Sequence, residues 1–303
     1  MADRVDPKPA DLPLPGGAAG ATVRVHPLFC GEGKWPDAWP HRREGPLAKL
    51  HGLGFRESRN DWVPFPFVAY LIEHPAAGPF LIDTGIDASV ADDPKPNLGS
   101  LFSSSAAKPT DFRPEYSIPA HLRERGLDPG QIRLVVMTHL HYDHTSGASQ
   151  FPEATFVVAE REWHAANRTG GLLKGYIRNH LSGITDWRTV GFDGPHVESY
   201  STFGRSLDLF GDGSVRLLST PGHTPGHVSV LLRTAGPEVL AVGDAAYTRR
   251  ALRTGQLPAF TDDDHLFRRS LREIQLYARE RPDAVLIPGH DMGAWRTLEP
   301  VYE

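Results

Sequence analysis

Short apolar runs with the period of a β-strand recur along most of this chain. The first run, TVRVHPLF, covers residues 22–29, and the runs FVAYLI and FLI, separated by a Pro- and Gly-containing turn, predict a hairpin that ends at Asp83. Six later runs are rich in β-branched residues: RLVVMTH, TFVVAE, SVRLLSTPGH, VSVLLRT, EVLAVGDA and AVLIPGH. Several of them end in a residue that can bind a metal ion.

Helical patterns alternate with the later strands. The segments with a helical period are residues 119–127, 160–168, 172–181 and 265–281. A chain in which strands alternate with helices folds into a layered α/β core, and its strand ends carry the polar side chains. The sequence therefore predicts an α/β protein with its chemistry at the ends of strands.

No linker or internal repeat interrupts the chain after residue 22, which predicts a single domain over residues 22–303. Residues 1–21 are rich in Pro, Ala and Gly and lack periodicity, so we expect a flexible N-terminal tail. Residues 30–62 and 88–113 also lack periodicity and are predicted to be long surface loops. Because loops of this length often carry function, both are candidates for the lining of a substrate cleft.

Composition narrows the classes of partner. The 303 residues include 32 basic and 37 acidic side chains and no dense basic run, which argues against nucleic acid as a binding partner. The longest apolar runs are far short of the roughly 18 residues that a membrane span requires. The N-terminus lacks the apolar core of a signal peptide, so we expect a cytoplasmic protein. Cys30 is the only cysteine, which excludes an intrachain disulfide and metal sites with several thiolates.

The run His139-Leu140-His141-Tyr142-Asp143-His144 follows the apolar strand LVVM almost directly. On an extended segment the side chains of His139 and His141 point to the same face. If the chain then turns into a helix, Asp143 and His144 reach a neighbouring point. Six residues can thus serve two adjacent metal positions, and imidazole with carboxylate suits zinc, and also iron, manganese or cobalt.

Three further candidate ligands, each preceded by glycine at the end of an apolar run, complete the set: His223, Asp244 and His290. In this interpretation one metal is held by His139, His141 and His223. The other is held by Asp143, His144 and His290. Asp244 bridges the two ions, and with a bridging hydroxide the centre keeps about one positive charge, which can stabilise an oxyanion.

The HLHYDH run, with the later His, Asp and His in order, resembles the HxHxDH signature of the metallo-β-lactamase superfamily. The resemblance covers residues 22–303. It implies an αβ/βα four-layer sandwich with a dinuclear metal site at the sandwich edge. Within the superfamily the chain is most similar to the N-acyl-homoserine lactonases, through TPGHTPGH at 220–227 and the segment Asp244-Ala245-Ala246-Tyr247. The Asp83-Thr84-Gly85 motif matches a position behind the metal ligands.

The resemblance implies an enzyme that opens the lactone ring of N-acyl homoserine lactones, a quorum-quenching reaction, by attack of a metal-bridging hydroxide. Tyr247, three positions after the bridging Asp, is expected to donate a hydrogen bond to the carbonyl oxygen, and Asp143 to pass a proton to the leaving oxygen. Two divalent ions are expected, zinc first, with iron, cobalt or manganese as alternatives. The expected partner is a small lactone, and a homodimer is left open.

Related dinuclear hydrolases remain alternatives. Thioesterases of the glyoxalase II type share the motif but carry a C-terminal helical segment, whereas this sequence ends soon after His290. Phosphotriesters are a second alternative substrate class. A purely structural metal protein is disfavoured because closed structural zinc sites are usually four-coordinate. His227 is predicted to be structural, and four aromatic residues are either an acyl-binding wall or core: Trp35, Trp39, Phe65 and Phe67.

Overall fold

The computed structural model describes residues 6–103 and 110–303, which fold around two β-sheets. The first sheet has the spatial order β1-β7-β6-β5-β4-β3-β2. Its strands are β1 (Lys8–Pro9), β2 (Arg24–Trp35), β3 (Val63–His74), β4 (Gly78–Ile82), β5 (Leu134–Val136), β6 (Thr155–Ala159) and β7 (Asp186–Val190). The neighbours β2, β3 and β4 pair antiparallel, and the pairs from β4 through β7 to β1 are parallel.

The second sheet has the order β13-β12-β11-β10-β9-β8. Its strands are β8 (Val197–Tyr200), β9 (Phe203–Asp208), β10 (Val215–Ser219), β11 (Val228–Leu232), β12 (Val239–Gly243) and β13 (Val285–Pro288). All neighbours pair antiparallel except β12 and β13, which are parallel. The predicted hairpin and the six later strands are confirmed.

The helices of the described residues are α1 (Ala48–Gly52), α2 (Pro94–Ser103), α3 (Ile118–Glu124), α4 (Tyr142–Thr145), α5 (Glu160–Ala166), α6 (Arg249–Thr254), α7 (Asp264–Glu280) and α8 (Met292–Trp295). The longest, α7, begins where the Asp263 side chain accepts hydrogen bonds from the amides of His265 and Leu266. No helix among these is long and apolar enough to cross a bilayer.

Alternate residues of a strand pack into different layers. In β12, Val239 and Ala241 belong to the core between the two sheets, whereas Leu240 and Val242 pack with α7 on the outer face. The first sheet has its own outer face, on the side away from the second sheet, and this face packs against α3 and α5. Since each fully buried Leu or Phe side chain contributes about 1.5–3 kcal/mol, these three apolar cores stabilise a helix–sheet–sheet–helix sandwich. The four-layer architecture is confirmed.

The N-terminal segment corrects the expectation of a flexible tail over residues 1–21. Lys8 and Pro9 pair with β7, and the Leu14 amide donates to the Leu209 carbonyl at 2.8 Å. Ala10, Leu12 and Leu14 pack against the core between the sheets. The prediction failed because a segment without periodicity can still add a short edge strand. Residues 1–5 lie outside the described residues.

Three other predictions, one of a helix and two of loops, also need correction. Residues 172–181 form two 3-10 turns instead of one helix, since Gly175 between them has φ 100°. The predicted loop at 88–113 contains a 3-10 turn and α2, and residues 104–109 of it lie outside the described residues. The predicted loop at 30–62 begins as part of β2, which runs to Trp35, and also contains α1.

Candidate metal centre

The seven predicted ligands converge from loops that follow strands. His139, His141, Asp143 and His144 come after β5, and His223 lies between β10 and β11. Asp244 follows β12, and His290 follows β13. The helix α4 begins at Tyr142, so the chain does turn from extended to helical within the HLHYDH run. This turn carries Asp143 and His144 away from His139 and His141, as the spacing predicted.

The first group of ligand atoms belongs to three histidines. Nε2 of His223 lies 3.2 Å from Nε2 of His139 and 2.9 Å from Nδ1 of His141. All the ligand atoms of this group lie within 4.8 Å of one another. Tetrahedral bonds of about 2 Å place donors roughly 3.3 Å apart, so the spacing suits one ion.

The second group joins Asp143, His144 and His290, whose ligand atoms also lie within 4.8 Å of one another. Asp244 stands between the groups. Its Oδ2 is 3.2 Å from Nε2 of His223, and its Oδ1 is 3.6 Å from Nε2 of His144 and 3.3 Å from Nε2 of His290. Oδ1 thus faces the second group and Oδ2 faces the first, with Oδ2 also 3.3 Å from Nε2 of His290. This arrangement suits a bridging ligand.

Hydrogen bonds behind the second group fix the orientation of its imidazoles. Oδ2 of Asp83 lies 2.8 Å from Nδ1 of His144, and the same carboxylate accepts from the amide and hydroxyl of Thr138. Nδ1 of His290 donates to the Pro66 carbonyl at 2.9 Å. Because Nδ1 is occupied in both rings, Nε2 of each faces the centre. Asp83 itself has φ 61°, a backbone conformation uncommon for a residue other than glycine.

The protonation states favour metal binding in the first group. Burial lowers the pKa of His141 to about 3 and holds the pKa values of His139 and His223 well below the usual range. Neutral imidazole is the form that binds a metal. For His144 burial also lowers the pKa, but the carboxylates of Asp83 and Asp143 outweigh it and hold the pKa well above the usual range.

Unpaired polar atoms at the centre indicate that it can accept cations. Nε2 of His144 and Oδ1 of Asp244 are buried and have no hydrogen-bond partner, and an unpaired buried polar atom costs about 1–3 kcal/mol. In the first group, neutral ring nitrogens face one another at hydrogen-bond distance. Five imidazoles and two carboxylates without thiolate suit zinc, iron, cobalt or manganese. The residues therefore fit divalent cations.

A cavity of about 430 Å³ opens over this centre. The polar residues in its wall include His141, Asp143, His223, Asp244 and Tyr247. The rest of the wall includes Lys174, Thr224, Thr261 and Asp262, together with a set of apolar and aromatic residues: Trp35, Trp39, Leu53, Leu173, Tyr176 and Phe260. A cavity with a small polar floor and apolar walls is typical of a site for a small amphipathic molecule.

Tyr247 lies between the centre and the cavity, with 4% of its surface exposed. Its hydroxyl is 3.2 Å from Nδ1 of His223. Because Nε2 of His223 faces the metal group, the ring proton belongs on Nδ1, which donates to the Tyr247 oxygen and leaves the phenol proton free for a ligand. Burial and the charge of Asp244 raise the pKa of Tyr247 well above its usual value, so the phenol is a donor at neutral pH.

Two of the four aromatic candidates line the cavity and the other two belong to the core. Trp35 and Trp39 line the cavity, whereas Phe65 stacks on Trp35 with ring centroids 3.5 Å apart and Phe67 is fully buried. His227 lies behind the centre, where Nε2 accepts from the Asp244 amide at 2.9 Å. The structural role predicted for His227 agrees with this contact.

Sequence patterns did not identify several residues around the centre. Leu53, Leu173 and Phe260 reach the cavity only through tertiary structure, and Tyr176 packs its ring 4.9 Å from that of His141. Glu162 resembles any acidic residue in the first turn of a helix, yet it is fully buried and contacts two of the ligand loops. Only the apolar residues on both sides of it, Ala159 and Trp163, indicate a buried helix face.

Comparison with known proteins places the chain in a family. The family model of the metallo-beta-lactamase superfamily matches residues 63–290, and the chain belongs to this superfamily.

Two relatives with curated names are N-acyl homoserine lactonases. AttM of Azorhizobium caulinodans is 33% identical over 83% of this chain and 91% of the relative. AiiA of Bacillus thuringiensis subsp. kurstaki is 27% identical over 75% of this chain and 82% of the relative.

A solved structure has the same fold. It is an N-acyl homoserine lactone hydrolase with the product N-hexanoyl-L-homoserine at its catalytic metal centre. It aligns with a TM-score of 0.70 at 20% identity, covering 92% of this chain and 97% of that chain.

Proposed function

We propose that this protein is a metal-dependent lactonase that opens the ring of N-acyl homoserine lactones. The observation that carries the proposal is the position of Asp244, with one carboxylate oxygen facing each of two ligand groups at the base of an apolar-walled cavity. This chain covers most of the length of the curated relatives, and their names support the same substrate class.

The metals proposed for the centre are two zinc ions. His139, His141 and His223 would hold one, Asp143, His144 and His290 would hold the other, and Asp244 would serve as a ligand to both. When bound, two divalent ions polarise a carbonyl and lower the pKa of water, so that a nucleophile is available at neutral pH. Iron, cobalt and manganese are compatible with the same ligands.

The side chains around the centre supply orientation and proton transfer. The Tyr247 phenol donates a hydrogen bond to the lactone carbonyl oxygen as negative charge develops on it. Asp143, which lies in the cavity wall, accepts the proton of the oxygen that attacks the carbonyl and transfers it to the ring oxygen as the C–O bond breaks. The rings of Trp35, Trp39 and Phe260 exclude water and contact the acyl chain.

A substrate panel tests this function directly. Metal-loaded protein is assayed with N-acyl homoserine lactones, a glutathione thioester and a phosphotriester, and kcat/KM is compared at one pH and metal concentration. We expect the largest kcat/KM for the lactones. A larger value for the thioester or the phosphotriester would assign the chain to that class of dinuclear hydrolase. The cytoplasmic location and a homodimer remain predictions.

A further inference from the structure

Glu162 is a buried carboxylate behind the metal centre, and no step proposed above uses it. It lies on α5 with 0% of its surface exposed. Its Oε1 accepts a hydrogen bond from the Leu140 amide at 3.0 Å, and its Oε2 accepts one from the Gly226 amide at 3.1 Å. One side chain therefore connects two loops that are 86 positions apart in the sequence, as the numbers of the two amides show.

The two amides belong to the loops that supply the first ligand group. Leu140 stands between His139 and His141, and Gly226 lies in the same tight turn as His223. A carboxylate that accepts from both amides fixes the distance between these loops, since each hydrogen bond tolerates only a few tenths of an ångström.

The packing at Gly226 shows how closely the turn approaches α5. A Cβ atom at this position would lie 2.2 Å from the backbone nitrogen of Glu162 and 2.6 Å from its Cβ. These atoms belong to the helix and the base of the side chain, so they cannot move away as a flexible side-chain end can. The absence of a side chain at residue 226 is what allows the Gly226 amide to reach the carboxylate.

Packing alone does not explain a carboxylate at this position. Burying a charged group is costly unless hydrogen bonds or an opposite charge compensate, and Glu162 has no ion-pair partner among the described residues. Burial raises the pKa of Glu162, while hydrogen bonds that include those from Leu140 and Gly226 act in the opposite direction. An apolar side chain could fill the same space but could not accept from either amide.

The second ligand group is supported independently. Asp83 orients His144, and the Pro66 carbonyl orients His290. Neither contact includes Glu162. A change at Glu162 should therefore weaken the first group more than the second, which shares the loop through Asp143 and His144 but has these further supports.

From this geometry we propose that Glu162 is a positioning residue that holds the His139–His141 loop and the His223 loop at the spacing required by the first metal. The proposal depends on the metal centre but not on the identity of the substrate. It concerns metal affinity, so it can fail while lactone hydrolysis is confirmed, and it can hold if another substrate is found.

The variant Glu162→Gln tests the proposal because glutamine keeps the size but presents an NH₂ group to one of the two amides. The full-length chain is stripped with a chelator and titrated with Zn²⁺, and with Co²⁺ to follow its visible absorption. We expect one of the two binding steps to weaken by about tenfold, the low end of the 10–100-fold range for changes behind metal ligands, and the other step to change by less than twofold. The Co²⁺ spectrum of the weakened step should change as well.

The matched control is Glu160→Gln, which makes the same change on the exposed first residue of α5. Both binding steps should stay within twofold of the unmodified protein. If Glu162→Gln leaves both steps unchanged, the proposal is wrong. If it weakens both equally while lowering the Tm of the metal-free chain, the role of Glu162 is general stability and the proposal is also wrong.

A measurement on the unmodified protein covers the case in which Glu162→Gln does not fold. In the metal-free chain the amides of Leu140 and Gly226 should still exchange slowly with deuterium, because their acceptor is a side chain and not a metal. Slow exchange supports positioning by Glu162 before metal binds. Rapid exchange of both amides in metal-free protein, followed by protection when Zn²⁺ is added, would show that the metal positions the loops and would overturn the proposal.

Discussion

At the base of the cavity, polar side chains are held by hydrogen bonds to neighbouring loops, whereas at its mouth exposed apolar side chains lie beside the ion pair of Lys174 and Asp262. His144 is buried and oriented by Asp83. At the mouth, Leu173 is 84% exposed and lies in a 3-10 turn, and Leu53 is 60% exposed and lies in the turn that follows α1. The residues at the base are held by hydrogen bonds and belong to sequence motifs, whereas Leu53 and Leu173 at the mouth belong to no motif.

This contrast separates the chemistry of the site from its choice of substrate. A ligand group fails if one donor moves by about an ångström, so its residues occur at fixed spacings after strands. An apolar mouth needs only the right area and shape, so many sequences can supply it. We therefore expect changes at the base to abolish turnover and changes at the mouth to alter selectivity among acyl chains.

The largest effect is expected from loss of a ligand at the base. His223→Ala removes a donor that faces both His139 and Asp244. Because a metal ion contributes several kcal/mol to the transition state, kcat/KM should fall by roughly 10²–10³-fold. The control His164→Ala removes an exposed histidine on α5 and should have little effect. Full activity in His223→Ala at saturating metal would exclude His223 as a ligand.

A smaller effect is expected at Tyr247, which lies where base and wall meet. Tyr247→Phe keeps the packed ring and removes the hydroxyl that lies 3.2 Å from His223. Since a metal shares the stabilisation of the oxyanion, kcat should fall by about tenfold, with metal content and Tm unchanged. Unaltered kcat would remove the hydroxyl from the mechanism, and loss of metal would show that Tyr247 supports the centre instead.

A change at the mouth should depend on chain length. Leu173→Asp places a charge in the cavity wall. For a decanoyl lactone, the loss of one buried methylene contact costs about 0.8 kcal/mol, so KM should rise roughly fourfold. A butanoyl lactone should change little because its chain does not reach the mouth. Leu172→Asp is the matched control, since Leu172 is also exposed but does not line the cavity. Equal effects on both substrates would place the acyl chain elsewhere.

The smallest effect on activity is expected far from the cavity. Asp212 accepts hydrogen bonds from the amides of Ala18 and Ser214. Burial raises the pKa of Asp212, but these bonds and that to His74 outweigh it and lower the pKa to about 2. The stabilisation is therefore present above the unfolded-state pKa of about 3.9 and is lost as the pH falls towards 2.

Asp212→Asn should lower the free energy of unfolding at pH 7 by about 1 kcal/mol and leave kcat/KM unchanged. The difference from the unmodified protein should shrink below pH 3, as measured by denaturant unfolding across pH. A difference that is constant with pH would mean that the carboxylate charge is not responsible.

The same contrast explains what sequence patterns could predict. The strands and the HLHYDH run were predictable because a period of two and short fixed spacings are local properties of the chain. Leu53 and Leu173 reach the cavity from segments 120 positions apart, as their numbering shows, and no local pattern relates them. Two glycines illustrate this difference. Gly289, which precedes a predicted ligand, approaches Asp244 so closely that a Cβ would lie 2.7 Å from Oδ1. Gly175 ends a 3-10 turn within a segment that was predicted to be one helix.

The metal content of the purified, fully loaded protein tests the central claim most directly. Elemental analysis should give two divalent ions per chain for the unmodified protein. It should give one or fewer for Asp244→Asn, because the amide cannot offer a charged oxygen to each ligand group. A content of zero or one in the unmodified protein, or two ions with full turnover in Asp244→Asn, would contradict a dinuclear centre bridged by Asp244.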